Sequence, residues 1–180
     1  MIAFDFVFTL FALLLGLSLA ELFTGFSRAL KLRTKVRVGW VTPLLGVFVI
    51  MDLTSFWLGA WNVRGSVKVS YAFLLLGVIT TGLYYFAASL VFPEHPADWP
   101  NFDAHYFRHR RQVLAAVWLC NLIAFVGPML LGIVALTLSW AVLTTIYTAC
   151  VALAMLSNNT RSNIAALLVL IGIYLVFAFL

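Results

Sequence analysis

Six times along the chain an apolar run of 17 residues or more is broken only by a polar connection. An α-helix rises ~1.5 Å per residue, so each run is near or above the length that crosses the ~30 Å hydrocarbon layer of a bilayer. Within lipid every backbone amide must find its partner inside the protein, which leaves helices or closed barrels. The runs are continuous rather than alternating, and this excludes the barrel. The sequence therefore predicts an all-α, polytopic membrane helix bundle with spans at about 4–29, 39–62, 69–92, 113–136, 139–156 and 164–180. Composition agrees: 64% of residues are hydrophobic and 9% charged, against about 25% charged in soluble domains. One transmembrane domain, residues 1–180, accounts for the whole chain.

Two boundaries need argument. The polar cluster "SNNTRSN", residues 157–163, reads as a loop between the last two spans. The break near Leu138 is weaker, and a five-span arrangement stays open there. At the start, "SLA" before Glu21 resembles a signal cleavage site, but the preceding stretch has no basic region and only Asp5 as an early charge. Residues 4–29 are therefore read as an uncleaved first helix.

The net charge of +5 belongs to the connections. Arg28, Lys31, Arg33, Lys35, Arg37, Arg108, Arg110, Arg111 and Arg161 fall on one side of the spans, and only Arg64 and Lys68 on the other. Basic connections are retained in the cytoplasm, so both termini are expected on the extracytoplasmic side of a bacterial-type cytoplasmic (inner) membrane. The same residues anchor to lipid headgroups, and no nucleic-acid partner is expected. The longest connection, 93–112, is cytoplasmic on this reading; three prolines stiffen its first half. Its second half, with Phe102, Tyr106 and Phe107 among charges, is patterned as a short interfacial helix running into the fourth span. Cys120 and Cys150 sit in apolar runs and read as small packing residues.

Against this apolar background two acids stand out, Glu21 in the first span and Asp52 in the second. An acid at mid-helix costs ~2.5–3.5 kcal/mol on insertion scales, which makes function its default reading. Ser18, Glu21, Gly25 and Arg28 share one helix face, as do Asp52, Ser55, Gly59 and Asn62. Such small and polar stripes mark faces that pack against other helices. The sixth span carries a single tyrosine and is expected to face lipid. Counting from the cytoplasmic ends at ~1.5 Å per residue puts Glu21 at ~10–12 Å and Asp52 at ~20 Å. Tyr84, Tyr85 and Asn121 then fall in a layer with Glu21, and Thr80 and Thr81 in a layer with Asp52.

These residues suggest a path for protons or small cations lined by Asp52, Glu21, Thr80, Thr81, Tyr84, Tyr85 and Asn121. A chain of 180 residues is small for a complete transporter, so a homo-oligomer among membrane lipids is expected. The rival is a non-transporting membrane subunit or scaffold whose acids are helix-packing contacts. Binding of a lipid or small hydrophobic ligand is a third possibility. His105 and His109, spaced i, i+4 with Asp103 nearby, are the only metal candidates and a weak set; a solvated interfacial segment is the preferred reading, and no metal is expected. No span holds a histidine for a membrane haem or a lysine for a retinal Schiff base. HExxH, GxSxG and phosphate-cradling glycine loops are all missing. Neither an enzyme nor a cofactor is expected.

Overall fold

The computed structural model describes residues 2–62, 70–130, 132 and 137–178. It is all-helical: α1 (Ile2–Leu32), α2 (Val41–Asn62), α3 (Tyr71–Val91), α4 (Phe102–Leu130), α5 (Leu138–Leu156) and α6 (Thr160–Ala178). All six are long and apolar enough to cross a membrane. Large apolar side chains such as Leu13, Phe23, Leu58, Leu153 and Val176 stand exposed on the outside of the bundle, which suits a protein whose surroundings are hydrocarbon rather than water. Arg64, Lys68 and residues 131 and 133–136, at the expected end of the fourth span, lie outside the described residues.

Two boundaries differ from the sequence expectation for local chemical reasons, and a third is settled. The short helix expected before the fourth span is continuous with it, so α4 starts at Phe102 rather than near 113 and the connection after α3 is confined to 92–101, with one 3-10 turn at Pro96–Asp98. Asn101 begins it by accepting from the Ala104 amide at 2.7 Å, the capping role for which Asn is favoured. Phe102 and Tyr106 are buried in the first turns of α4 and fasten them to the core. Helix α6 likewise starts at Thr160 instead of 164, with Asn159 accepting from the Arg161 amide at 3.0 Å. Thr137 accepts from the Trp140 amide and opens α5 as a separate helix, which closes the five-span alternative.

Helix α2 is the inner helix of the bundle, packed on α1, α3, α4 and α6, while α1 lies along α3 and α5 along α6. Its buried residues all fall between Val41 and Leu53. Ser55, Gly59 and Asn62 are exposed, so the polar stripe expected on this helix faces the interior only at Asp52. On α1 the stripe is half kept: Ser18 and Gly25 are buried, whereas Glu21 and Arg28 are only half-buried. The sixth helix does not merely face lipid. It buries Asn163, Ala166, Leu167 and Leu170 against its neighbours.

Helices α1 and α3 run parallel in tight register, since Phe11 meets Gly77 and Gly25 meets Phe92. A methyl group on Gly25 would stand 2.3 Å from Phe92 Cδ2. Gly25→Ala is expected to destabilise the fold by ~1–3 kcal/mol through overpacking, read as a lower midpoint of thermal unfolding in detergent. Gly59→Ala, with nothing within 4 Å of the added atom, should leave the midpoint unchanged or raise it.

Candidate functional site

Asp52 is 1% exposed, and four side chains from four other helices point hydrogen-bond donors at it. Tyr84 of α3 donates its hydroxyl to Oδ2 at 2.7 Å. Asn121 of α4 donates Nδ2–H to Oδ1 at 2.7 Å. Tyr174 of α6 donates to Oδ1, and Tyr147 of α5 approaches the same oxygen at 3.4 Å. Asn121 Nδ2 also reaches the Tyr147 hydroxyl oxygen at 2.9 Å and the Val117 carbonyl at 3.1 Å. Its two hydrogens are therefore shared among three acceptors.

The hydroxyls are aimed by packing. The Tyr84 ring lies 5.3 Å from Phe56, and Phe48 lies 6.3 Å from Tyr147 and 6.2 Å from Tyr174, centroid to centroid. Leu15, Leu53 and Cys120 close the apolar wall on the Tyr84 side. Helix α1 supplies Leu15 to this wall but no donor. No basic side chain pairs with Asp52 among the described residues. A buried carboxylate without a counter-ion is tolerable only where its lone pairs are filled, and here dipolar hydroxyl and amide groups fill them.

The two-layer arrangement expected from depth counting is thus corrected. Tyr84 and Asn121 belong to Asp52, not to a layer with Glu21. Thr80 and Thr81 are buried, but their hydroxyls bond back to the Leu76 and Gly77 carbonyls of their own helix. They reach the site only indirectly, where Cys120 Sγ–H meets the Thr80 carbonyl at 3.4 Å. Tyr85 points outward, 46% exposed. Glu21 makes no hydrogen bond to another described residue, and Arg28, two turns along, donates instead to the Pro93 and Glu94 carbonyls. Tyr147 and Tyr174 are the members that sequence reasoning missed. The available signal was chemical: Tyr174 is the lone polar side chain in an otherwise apolar run, and a buried tyrosine hydroxyl wants a partner.

The candidate metal group is not assembled. The His105 and His109 rings lie with centroids 4.3 Å apart and planes tilted by 34°, and the Trp99 ring abuts both edge-on. His105 Nε2 meets the Leu90 carbonyl at 3.0 Å and His109 Nδ1 the His105 carbonyl at 3.1 Å. Asp103 lies two residues before His105 and so on another side of the helix. Its carboxylate fills the space where Gly39 lacks a side chain.

At the same end of the bundle the basic connections are knitted together. The Phe102 amide donates to the Arg37 carbonyl at 3.3 Å, and the Thr42 hydroxyl to the Phe102 carbonyl at 2.8 Å. Arg110, 2% exposed, donates Nη2–H to Asn158 at 2.8 Å with its guanidinium over the Phe107 ring, while Tyr106 donates to Asn163 at 2.6 Å. The connections after α1, α3 and α5 thus meet at one pole.

The fold and this centre define the class: a multi-pass helical membrane protein built around a buried carboxylate. No family model matches the chain, and no curated protein or solved structure matches it either.

Removing one hydroxyl leaves the buried carboxyl group a donor short. Tyr174→Phe is expected to cost ~1.5–3 kcal/mol, the range for hydrogen bonds to charged groups, seen as a lower unfolding midpoint in detergent. Tyr71→Phe, on a side chain 80% exposed, should change nothing.

Proposed function

We propose that this chain is a proton-handling membrane protein of the transporter or channel class, with Asp52 as the group that takes up and releases the proton. The observation that carries the reading is the convergence of three tyrosine hydroxyls and an asparagine amide on one buried carboxyl group. A hydroxyl both donates and accepts. When Asp52 is ionised the hydroxyls donate to it; when it carries a proton, one of them rotates and accepts. The exchange needs no displacement of heavy atoms and no space for a hydration shell.

That last point separates protons from metal cations. A permeating cation needs oxygen lone pairs turned toward it, and the carboxyl oxygens here are already met by donors. Of the two path types suggested by the sequence, the geometry favours the proton. The asymmetric placement of basic residues supports an orientation with the pole of Arg28, Arg37, Arg110 and Arg111 in the cytoplasm, both termini outside and a bacterial-type inner membrane as the location.

One observation favours the rival reading, in which the chain is a non-transporting subunit: the hydrogen bonds of Asp52 tie α2 to α3, α4, α5 and α6, as a structural lock would. Proton flux distinguishes the two. In proteoliposomes carrying an internal pH dye, wild-type protein should collapse an imposed pH gradient at least tenfold faster than protein-free vesicles. Asp52→Asn keeps the shape and most of the hydrogen-bonding capacity, so it should stay folded and bring the rate down to the protein-free level. A folded wild-type protein that adds nothing to the protein-free rate would contradict proton transport and leave the lock.

A further inference from the structure

Of the expected path residues outside the Asp52 centre, Thr80 and Thr81 bond back to their own helix, whereas Glu21 and Tyr85 are brought to one side by the packing of α1 on α3. Phe11 and Gly25 mark the line along which α1 faces α3, and Gly77 and Phe92 mark the corresponding line on α3. At 100° per residue, Glu21 lies ~40–80° to one side of the α1 line, and Tyr85 lies ~20–80° off the α3 line in the opposite sense. Because the two helices run parallel, opposite senses bring both residues to the same side of the seam. Helix α2 is on the other side, where α1 reaches it through Phe8 and Phe26. Phe11 opposite Gly77 and Gly25 opposite Phe92 also set the register, which places Tyr85 about three residues, or ~4.5 Å, from the level of Glu21.

This outer face is unlike the rest of the bundle exterior. It carries Glu21, half-buried, and Tyr85, 46% exposed, neither side chain hydrogen-bonded to another described residue. On the same side of the seam Thr24 on α1 and Gly82 and Ser89 on α3 are small and exposed, beside the larger Leu17 and Val78, and nothing lies within 4 Å of where a Cβ on Gly82 would be. Small residues let another helix approach closely in lipid, and polar groups left toward hydrocarbon need a partner.

We propose that this face is the contact between two copies of the chain, with Glu21 of each copy accepting a hydrogen bond from the partner's Tyr85. The complementarity selects a second copy: acceptor and donor sit side by side on one patch, so a twofold axis exchanges them and satisfies both at once. Copies inserted with the same orientation can be related only by an axis along the membrane normal, which preserves depth. The ~4.5 Å difference in level is spanned by the length of the two side chains. The inference stands apart from proton handling at Asp52, since it uses none of that centre's residues.

Single-molecule photobleaching of labelled full-length chain in phosphatidylcholine vesicles, across a range of protein-to-lipid ratios, tests it. Wild type should follow a monomer–dimer equilibrium. Tyr85→Phe, which removes the hydroxyl oxygen and keeps the ring, should weaken the dimer about tenfold while helical circular dichroism and unfolding midpoint stay put. Glu21→Leu should weaken it similarly, and the double variant should match the single ones, because both remove the same bond. Wild type that stays monomeric at every ratio would overturn the proposal. So would a dimer indifferent to Tyr85→Phe, whatever Glu21→Leu does to folding.

Discussion

The structure turns on the cost of one carboxyl group taken out of water. Asp52 sits on the inner helix, fully enclosed, and the surrounding helices must each bring a polar group to it or leave it unpaired. Four do so. Their donors come from tyrosine and asparagine rather than arginine or lysine, so the site is neutral apart from Asp52 itself. Such a centre is sensitive to the proton on that one group, because no fixed counter-charge holds it in either state.

The remaining architecture falls into place around this point. The apolar halves of the helices pack by shape, with Gly25 and Gly77 admitting aromatic rings so that α1 closes on α3. One pole is stitched by backbone carbonyls and by the buried Arg110, whose hydrogen bond to Asn158 fixes the connection between α5 and α6. The centre is thus held from the side by aromatic packing and from one end by a polar layer. Helix α1 stands outside the donor set, and its unused polar face, with Glu21, looks away from the centre.

Much of this was legible in the sequence, and the failures have physical causes. Continuous apolar runs identified the spans, and the insertion cost of an acid singled out Asp52. Depth counting then misplaced its partners. Side chains on a helix lean toward its N-terminus; on α3 that lean carries the Tyr84 hydroxyl away from the basic pole and up to Asp52. Asn121 was misplaced for another reason. Helix α4 begins at Phe102, and measured from there Asn121 lies ~28 Å along the helix, against ~12 Å from residue 113. The charges in 102–112 made this segment read as a short interfacial helix, although its buried face, Phe102 and Tyr106, is apolar in body and polar only at the tyrosine tip and belongs to the start of α4. Tyr147 and Tyr174 were passed over because a tyrosine in a hydrophobic run counts as apolar, although its hydroxyl is what this centre uses.

The central claim, that Asp52 takes up and gives back a proton within its ring of donors, is tested most directly by infrared difference spectroscopy of the reconstituted protein over the pH range in which it stays folded. A protonated carboxyl group has a carbonyl stretch that its carboxylate lacks. The account requires such a band to appear and vanish reversibly with pH in wild-type protein and to be missing from Asp52→Asn. A spectrum in which no carboxyl band titrates, or in which the same band titrates in Asp52→Asn, would contradict it.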